Sequence, residues 1–173
     1  MKITEAIALE HATLLRVFDQ VERVLPSLSS AAEVGTLATI LEGLLSTQAQ
    51  LEANFAFAAL DDALPHKGRL AALHQGHREL DEQLRQVHEA SACEEASRLL
   101  WAAMRAAREH FRHEERDLFP VLERSLGLGV LAALGEAYRQ AMKARGTGRR
   151  KGGKLKSEDR RQRTEGSTET LKS

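Results

Sequence analysis

Apolar residues in this chain recur at steps of three and four along four long windows, a period that an α-helix satisfies and a strand does not. In the first window, Thr4 to Leu25, the stripe is Ile7, His11, Leu14, Leu15, Phe18 and Leu25, ended by Pro26 and the stretch "SLSSAAE". Ser30 and Glu33 have capping-box spacing and open the second window, with Leu37, Ile40, Leu41, Leu44, Gln48, Glu52, Phe55 and Ala59 on one face. After "DDALPHKG", Pro65 is suited to start a third helix whose stripe is Leu70, Leu73, His77, Leu80, Leu84 and Val87. A second capping box, Ser91 to Glu94, precedes a fourth helix that runs to Arg124 and presents Leu100, Ala103, Ala107, His110, Glu114, Leu118 and Val121. "SLGLG" stops it, and a shorter helix follows with Leu131, Leu134, Tyr138 and Met142 on one side. Four long amphipathic helices on short connections predict an all-α, up-down-up-down four-helix bundle over residues 3–124, with an accessory helix over 125–145.

The remainder, 146–173, is a different object. From Lys143 onward there are eleven Lys/Arg against four Asp/Glu, whereas residues 1–142 carry fourteen basic and twenty-one acidic side chains, although the whole chain is neutral. This tail has almost nothing apolar beyond Leu155 and Leu171 and cannot offset the entropy of ordering, so it is expected to be disordered. No aromatic residues are interleaved in it to stack on bases, which favours a solvated tail over contact with nucleic acid or an acidic partner. Cys93 is the sole cysteine and has no intramolecular partner, which suits a reducing compartment. Glu5, Glu10 and Asp19 interrupt the apolar N-terminus, so it does not read as a signal peptide, and no uncharged run reaches the roughly 18 residues of a membrane span. A cytoplasmic protein without membrane contact, monomeric or weakly oligomeric, is the expectation. Phosphate-binding glycine loops and nucleophile motifs are absent, and no HExxH pairing supports a zinc hydrolase.

The chemistry lies in the polar interruptions of the stripes. His11, Gln48, Glu52, His77, His110 and Glu114 all occupy positions where the period calls for core residues. A buried, unpaired carboxylate costs several kcal/mol and escapes by neutralisation, pairing or a metal. Imidazole and carboxylate together suit iron, manganese or zinc. His110 and Glu114 are four apart in "EHFRHEERDLFP", so both can address one point from one helix face. The second helix superposes on the fourth at an offset of 62, which aligns Glu52 with Glu114 and Gln48 with His110. The third superposes on the first at an offset of 66, aligning His77 with His11. The chain is therefore two helix pairs, each a histidine helix followed by a (His/Gln)-x-x-x-Glu helix.

On "LEHATLLRVF", "HQGHREL" and above all "HFRHEERDLFP", the sequence resembles the hemerythrin-like proteins with the HHE cation-binding domain over residues 3–124. The resemblance implies a non-haem iron centre of di-iron type with an oxo or hydroxo bridge, held by His11, Glu52, His77, His110 and Glu114, with the two Glu bridging. It implies small-molecule partners: O2, peroxide or NO handled or sensed, or iron itself handled, with at most a catalase-like or oxygen-reducing side activity. Leu41, Leu44, Phe55, Leu73 and Leu118 would line a dry pocket. Ferritin-like bundles, the competing carboxylate architecture, use Glu-x-x-His helices, and no Glu stands three residues before a His here.

The departure is Gln48, where the resemblance calls for histidine and an amide oxygen is a weaker iron ligand. Three outcomes are open: two metals with one held less firmly, one metal, or a relic site. His74, at the stripe's edge, is a candidate replacement ligand or a partner of one. His113 and Glu115 flank the core face and are expected to be solvated or paired; His66 and His88 read as surface residues, and Cys93 as a packing residue. Trp101, Met104, Phe111 and Phe119 are expected to pack in the core or against the fifth helix. The alternative function is a metal-depleted helical interaction module whose basic tail contacts an acidic partner.

Overall fold

The computed structural model describes the backbone of residues 1–63 and 68–145 and the side chains of residues 1–61 and 75–145. Pro65, His66 and the basic tail lie outside these residues, as do the side chains of Leu70, Leu73 and His74. The described elements are all helical: α1 (Ile3–Val24), α2 (Ala31–Glu52), α3 (Ala58–Ala63), α4 (Gly68–Glu89), α5 (Cys93–His113) and α6 (Phe119–Ser125). Residues 128–145 are also helical. The chain divides into two compact units at Tyr138. Residues 128–138, here α7, belong to the first, and the described part of the second, 139–145, is helical. No helix among the described residues is long and apolar enough to cross a membrane.

Short connections fold α1, α2, α4 and α5 back on one another in an up-down-up-down bundle, with α4 on α5, α2 against both, and α1 against α2 and α5. Phe18, Leu41, Leu84, Leu100, Met104 and Phe111 fill the interior. The Ser30 box forms as spaced: Glu33 N–H donates to Ser30 Oγ at 3.3 Å, and Ser30 N–H donates to the Glu33 carboxylate at 3.1 Å. The Ser91–Glu94 box does not form. Cys93 donates to the Leu28 carbonyl at 3.5 Å and α5 begins there, with Ala92 as the cap and no side-chain capping bond. That start moves Ser91 one residue too early to cap.

Two wide turns reshape the second and fourth helical runs. Between α2 and α3, Ala53–Phe57 form a π-helical turn, and between α5 and α6, Glu114–Leu118 form another. A π turn holds one extra residue, which rotates the helix beyond it by about 100° relative to an uninterrupted α-helix. Within and beyond the first turn Phe57 and Leu60 are therefore buried, while the expected Phe55 and Ala59 are only half-buried. Downstream of the second, Leu122 takes the interior position expected for Val121.

Upstream, α2 also differs from its expected phase. It buries Val34, Ala38, Leu41, Leu45 and Gln48, leaves Leu37 and Leu44 at the edge, and exposes Ile40 by 51%. Apolar residues cover so much of this helix that two phases fit its sequence, and the small Ala38 faces inward. Trp101 is likewise 46% exposed rather than packed, because α5 turns its neighbours Leu100, Ala103 and Met104 inward. α7 lies against the N-terminal backbone, where a Cβ on Gly135 would collide with Met1 and Lys2. Lys2 and Thr4 reach Glu123 at 3.0 and 2.7 Å, tying the start of α1 to α6.

Candidate metal centre

Every long helix of the bundle contributes to one polar cluster. α1 supplies His11, the last turn of α2 supplies Gln48 and Glu52, α4 supplies His77, and α5 supplies His110 just before Glu114 opens the second π turn. His11 Nε2 lies 3.2 Å from Glu52 Oε1 and 3.4 Å from Glu114 Oε2. His77 Nε2 lies 3.4 Å from Glu52 Oε2 and 3.7 Å from Glu114 Oε1. Each carboxylate thus turns one oxygen to His11 and the other to His77. His110 Nε2 approaches Glu114 Oε1 at 3.1 Å. Two groups of three donors result, His11/Glu52/Glu114 and His77/His110/Glu114, and each group's ligand atoms lie within 4.8 Å of one another. Glu114 is common to both.

Whether these residues fit a cation is decided by their lone pairs. Glu52 Oε2, His77 Nε2, His110 Nε2 and both oxygens of Glu114 are buried and have no hydrogen-bond partner among the described residues, despite their mutual proximity. Buried polar atoms are ordinarily hydrogen-bonded. Five that point at one another without hydrogen-bond geometry are donors arranged around a shared centre, so the residues fit a metal. The cluster's electrostatics agree. Burial opposes charge on His11, but Glu114 and Glu52 facing it outweigh burial and raise its pKa to about 10. Burial likewise opposes charge on His77, yet Glu52 and Glu114 raise it. Glu114 is held well below the usual carboxylate range: burial pushes it up, and the His11 and His110 imidazoles prevail. Anions sited here attract positive charge, which a metal ion supplies in place of protons.

Packing fixes the rings. His11 stacks on Phe111 with centroids 4.1 Å apart and planes within 10°, and Phe111 leans on Phe18. His77 meets Phe57 at 6.1 Å and His110 edge-on at 4.6 Å. His110 lies directly over the backbone of α4 at Gly76, where a Cβ would come within 2.7 Å of His110 Nδ1. Glycine at 76 is what lets this imidazole reach Glu114. From α7, Tyr138 is buried and its hydroxyl donates to Glu10; burial, Glu10, and the charges of Glu52 and Glu114 push its pKa far up.

All five residues nominated as ligands, His11, Glu52, His77, His110 and Glu114, meet in this cluster. Gln48 joins them: its amide Nε2 is 3.2 Å from His11 Nε2. The side chain of His74 lies outside the described residues. His113 is exposed and pairs with Asp117 at 3.3 Å, and His88 pairs with Glu42 at 3.3 Å. Of the expected lining, Leu41 and Leu118 are buried, but Leu44 and Phe55 are only half-buried, and aromatic rings do more of the enclosing. Phe111 and Phe57 were not expected beside the histidines. For Phe111 a signal existed in a second stripe, Leu100, Met104, Ala107 and Phe111. Glu115 carries no such signal; it bonds His11 Nδ1 at 2.9 Å from outside the cluster.

A four-helix bundle with a buried His/Glu cluster of this kind defines a cation-binding helical protein. Residues 68–169, more than half of the chain, match the family model for the hemerythrin HHE cation binding domain, and the chain belongs to that family. The matched stretch includes His77, His110 and Glu114, while His11 and Glu52 precede it. No curated protein and no solved structure gave a match.

Proposed function

We propose that the chain is a non-haem iron protein that holds a pair of iron ions and uses them to handle or sense O2, peroxide or NO, or to handle iron itself. One observation carries the reading: Glu52 and Glu114 each turn opposite oxygens towards His11 and His77, while Glu52 Oε2 and both Glu114 oxygens are buried without a hydrogen-bond partner among the described residues. In this reading His11 would hold one ion and His77 and His110 the other, with Glu52 and Glu114 facing both positions. Bound iron supplies reversible one-electron chemistry toward small ligands. The chain's own part is to fix the donors, to keep water out with Phe57, Phe111 and Leu118, and to set the two positions apart. Gln48 stands beside His11 where the other position has a second imidazole, so the His11 position is the less firmly held.

The test is metal content per chain by elemental analysis, on protein grown with iron and purified without a metal-affinity tag, together with the near-ultraviolet and visible spectrum. The expected result is about two irons per chain with charge-transfer absorption, as in carboxylate-bridged helical bundles. A single iron removes the paired centre and leaves an iron-binding bundle. No iron, and no uptake of ferrous ion under anaerobic conditions, overturns the reading. A second reading then takes its place, favoured by the His–Glu approaches of 3.1–3.4 Å: a self-neutralising polar core in an interaction module whose basic tail contacts an acidic partner.

A further inference from the structure

We infer that Glu115 is a positioning residue that holds His11 ready for a metal, and that it acts on one of the two cation positions and not on the other. This rests on the metal reading above. His11 is fully buried and presents its two ring nitrogens to opposite surroundings. Nε2 faces Glu52, Glu114 and Gln48 in the cluster. Nδ1 faces the Glu115 carboxylate, at 2.9 Å, and Glu115 is 44% exposed at its side chain.

The chemistry of the pair sets the direction of the hydrogen bond. An ionised carboxylate has no hydrogen to give, so Nδ1–H donates and Glu115 Oε1 accepts. That fixes a hydrogen on Nδ1 and leaves Nε2 as the nitrogen whose lone pair a metal can take. It also fixes the ring plane from the side away from the cluster, while Phe111 stacked at 4.1 Å fixes it from its face. A carboxylate hydrogen-bonded to the far nitrogen of a ligand imidazole raises its basicity and locks its tautomer. Among the described residues no carboxylate bonds His110 in this way: its Nδ1 lies over Gly76, and it is held by shape instead. His11 and His110 are therefore oriented by different means, one by a charged hydrogen bond and the other by a backbone cradle.

Position in the chain explains how adjacent residues reach one imidazole from two sides. Glu114 and Glu115 are the first two residues of the second π turn. Glu114 projects into the bundle and approaches Nε2, and Glu115 runs along the surface to Nδ1. The paired acidic residues in "HEERD" thus divide into one that faces the ions and one that supports a ligand to them.

Cobalt(II) is the probe, added to metal-free protein under anaerobic conditions and followed by visible absorption and equilibrium dialysis. Wild type, Glu115→Ala, Glu115→Gln and His11→Ala are compared. Glu115→Ala should weaken by roughly 10- to 100-fold the same cobalt that His11→Ala loses, leave the His77/His110 cobalt unchanged, and leave the melting temperature of the metal-free bundle near wild type. Glu115→Gln, which keeps an acceptor oxygen but not the charge, should fall between. Equal affinities in wild type and Glu115→Ala overturn this inference alone. Equal weakening of every cobalt bound, with a lowered metal-free melting temperature, also overturns it, because the role would then be general stability. Wild type that takes up no cobalt overturns the metal reading, and this inference falls with it.

Discussion

Two single residues decide what the cluster can hold. Gly76 is the first, since a methyl there would come within 2.7 Å of the His110 imidazole, which would have to shift. Gly76→Ala should keep the helix, which alanine favours, and yet displace His110 from Glu114. The expected loss is tenfold or more in affinity at the His77/His110/Glu114 position, read by metal titration, with unchanged helical circular dichroism. An alanine variant that binds metal as tightly as wild type would show that His110 is not a ligand. Gln48 is the second. Its amide reaches His11 Nε2 at 3.2 Å, so it occupies the space of the missing imidazole without matching it as a donor. Gln48→His should tighten the weaker position by roughly tenfold, about 1.4 kcal/mol, bringing the two affinities together in the same titration. A titration curve that stays two-stepped and unmoved would count against the asymmetry assigned to Gln48.

At the scale of elements, the sequence is legible wherever period and chemistry point the same way. Helices α1 and α5 carry apolar faces opposite charged ones, and their inward residues Ile7, His11, Leu14, Phe18, Leu100, Ala103 and Ala107 are buried as the period requires. The five ligand candidates were legible for a simple reason: charged and imidazole residues at core positions violate the pattern. α2 was not legible in phase, because its apolar residues surround it. The π turns were not legible at all, since no residue type demands an extra residue in a helix; tertiary packing of Glu52, Phe57, Glu114 and Leu118 selects it. Deleting the exposed Asn54 should restore an uninterrupted helix and rotate Phe57 and Leu60 away from the core. With about 1.5–3 kcal/mol lost per large apolar side chain, stability should fall by roughly 3–6 kcal/mol in denaturant titration. The α2 cap gives a prediction with a pH sign. Ser29 and Ser30 donate to the Glu33 carboxylate and hold it below its ordinary 4.5. A depressed carboxylate stabilises the fold above its unfolded value, and that stabilisation is lost as pH falls through the folded value. The stability gap between wild type and Glu33→Gln should therefore be present at neutral pH and shrink in acid, and a gap constant across that range would remove the cap's ionic part.

For the molecule as a whole, the two-pair organisation brings four helices to one buried point, and that point carries a cost. Two carboxylates and three imidazoles sit where a bundle of this size would otherwise place leucines, with five of their atoms lacking a hydrogen-bond partner among the described residues. Without metal the folded state must keep those groups neutralised by protons, in a geometry that does not satisfy them. With metal the same donors are satisfied, and the unfolded chain, which scatters them across residues 11 to 114, gains little. A cation bound mainly by the folded state stabilises it by mass action, about 2.7 kcal/mol at a free concentration one hundred times Kd. For a domain of this length, that corresponds to a rise of roughly 5–10 °C in melting temperature. Ferrous or cobaltous ion added anaerobically to metal-free protein should produce this rise, and a chelator should reverse it. The His11→Ala/His110→Ala double variant should show neither effect, while losing no more than its own packing energy in the metal-free state. A melting temperature indifferent to metal in the wild type would mean that the polar core neutralises itself, and the bundle would then be a scaffold rather than an ion-binding centre.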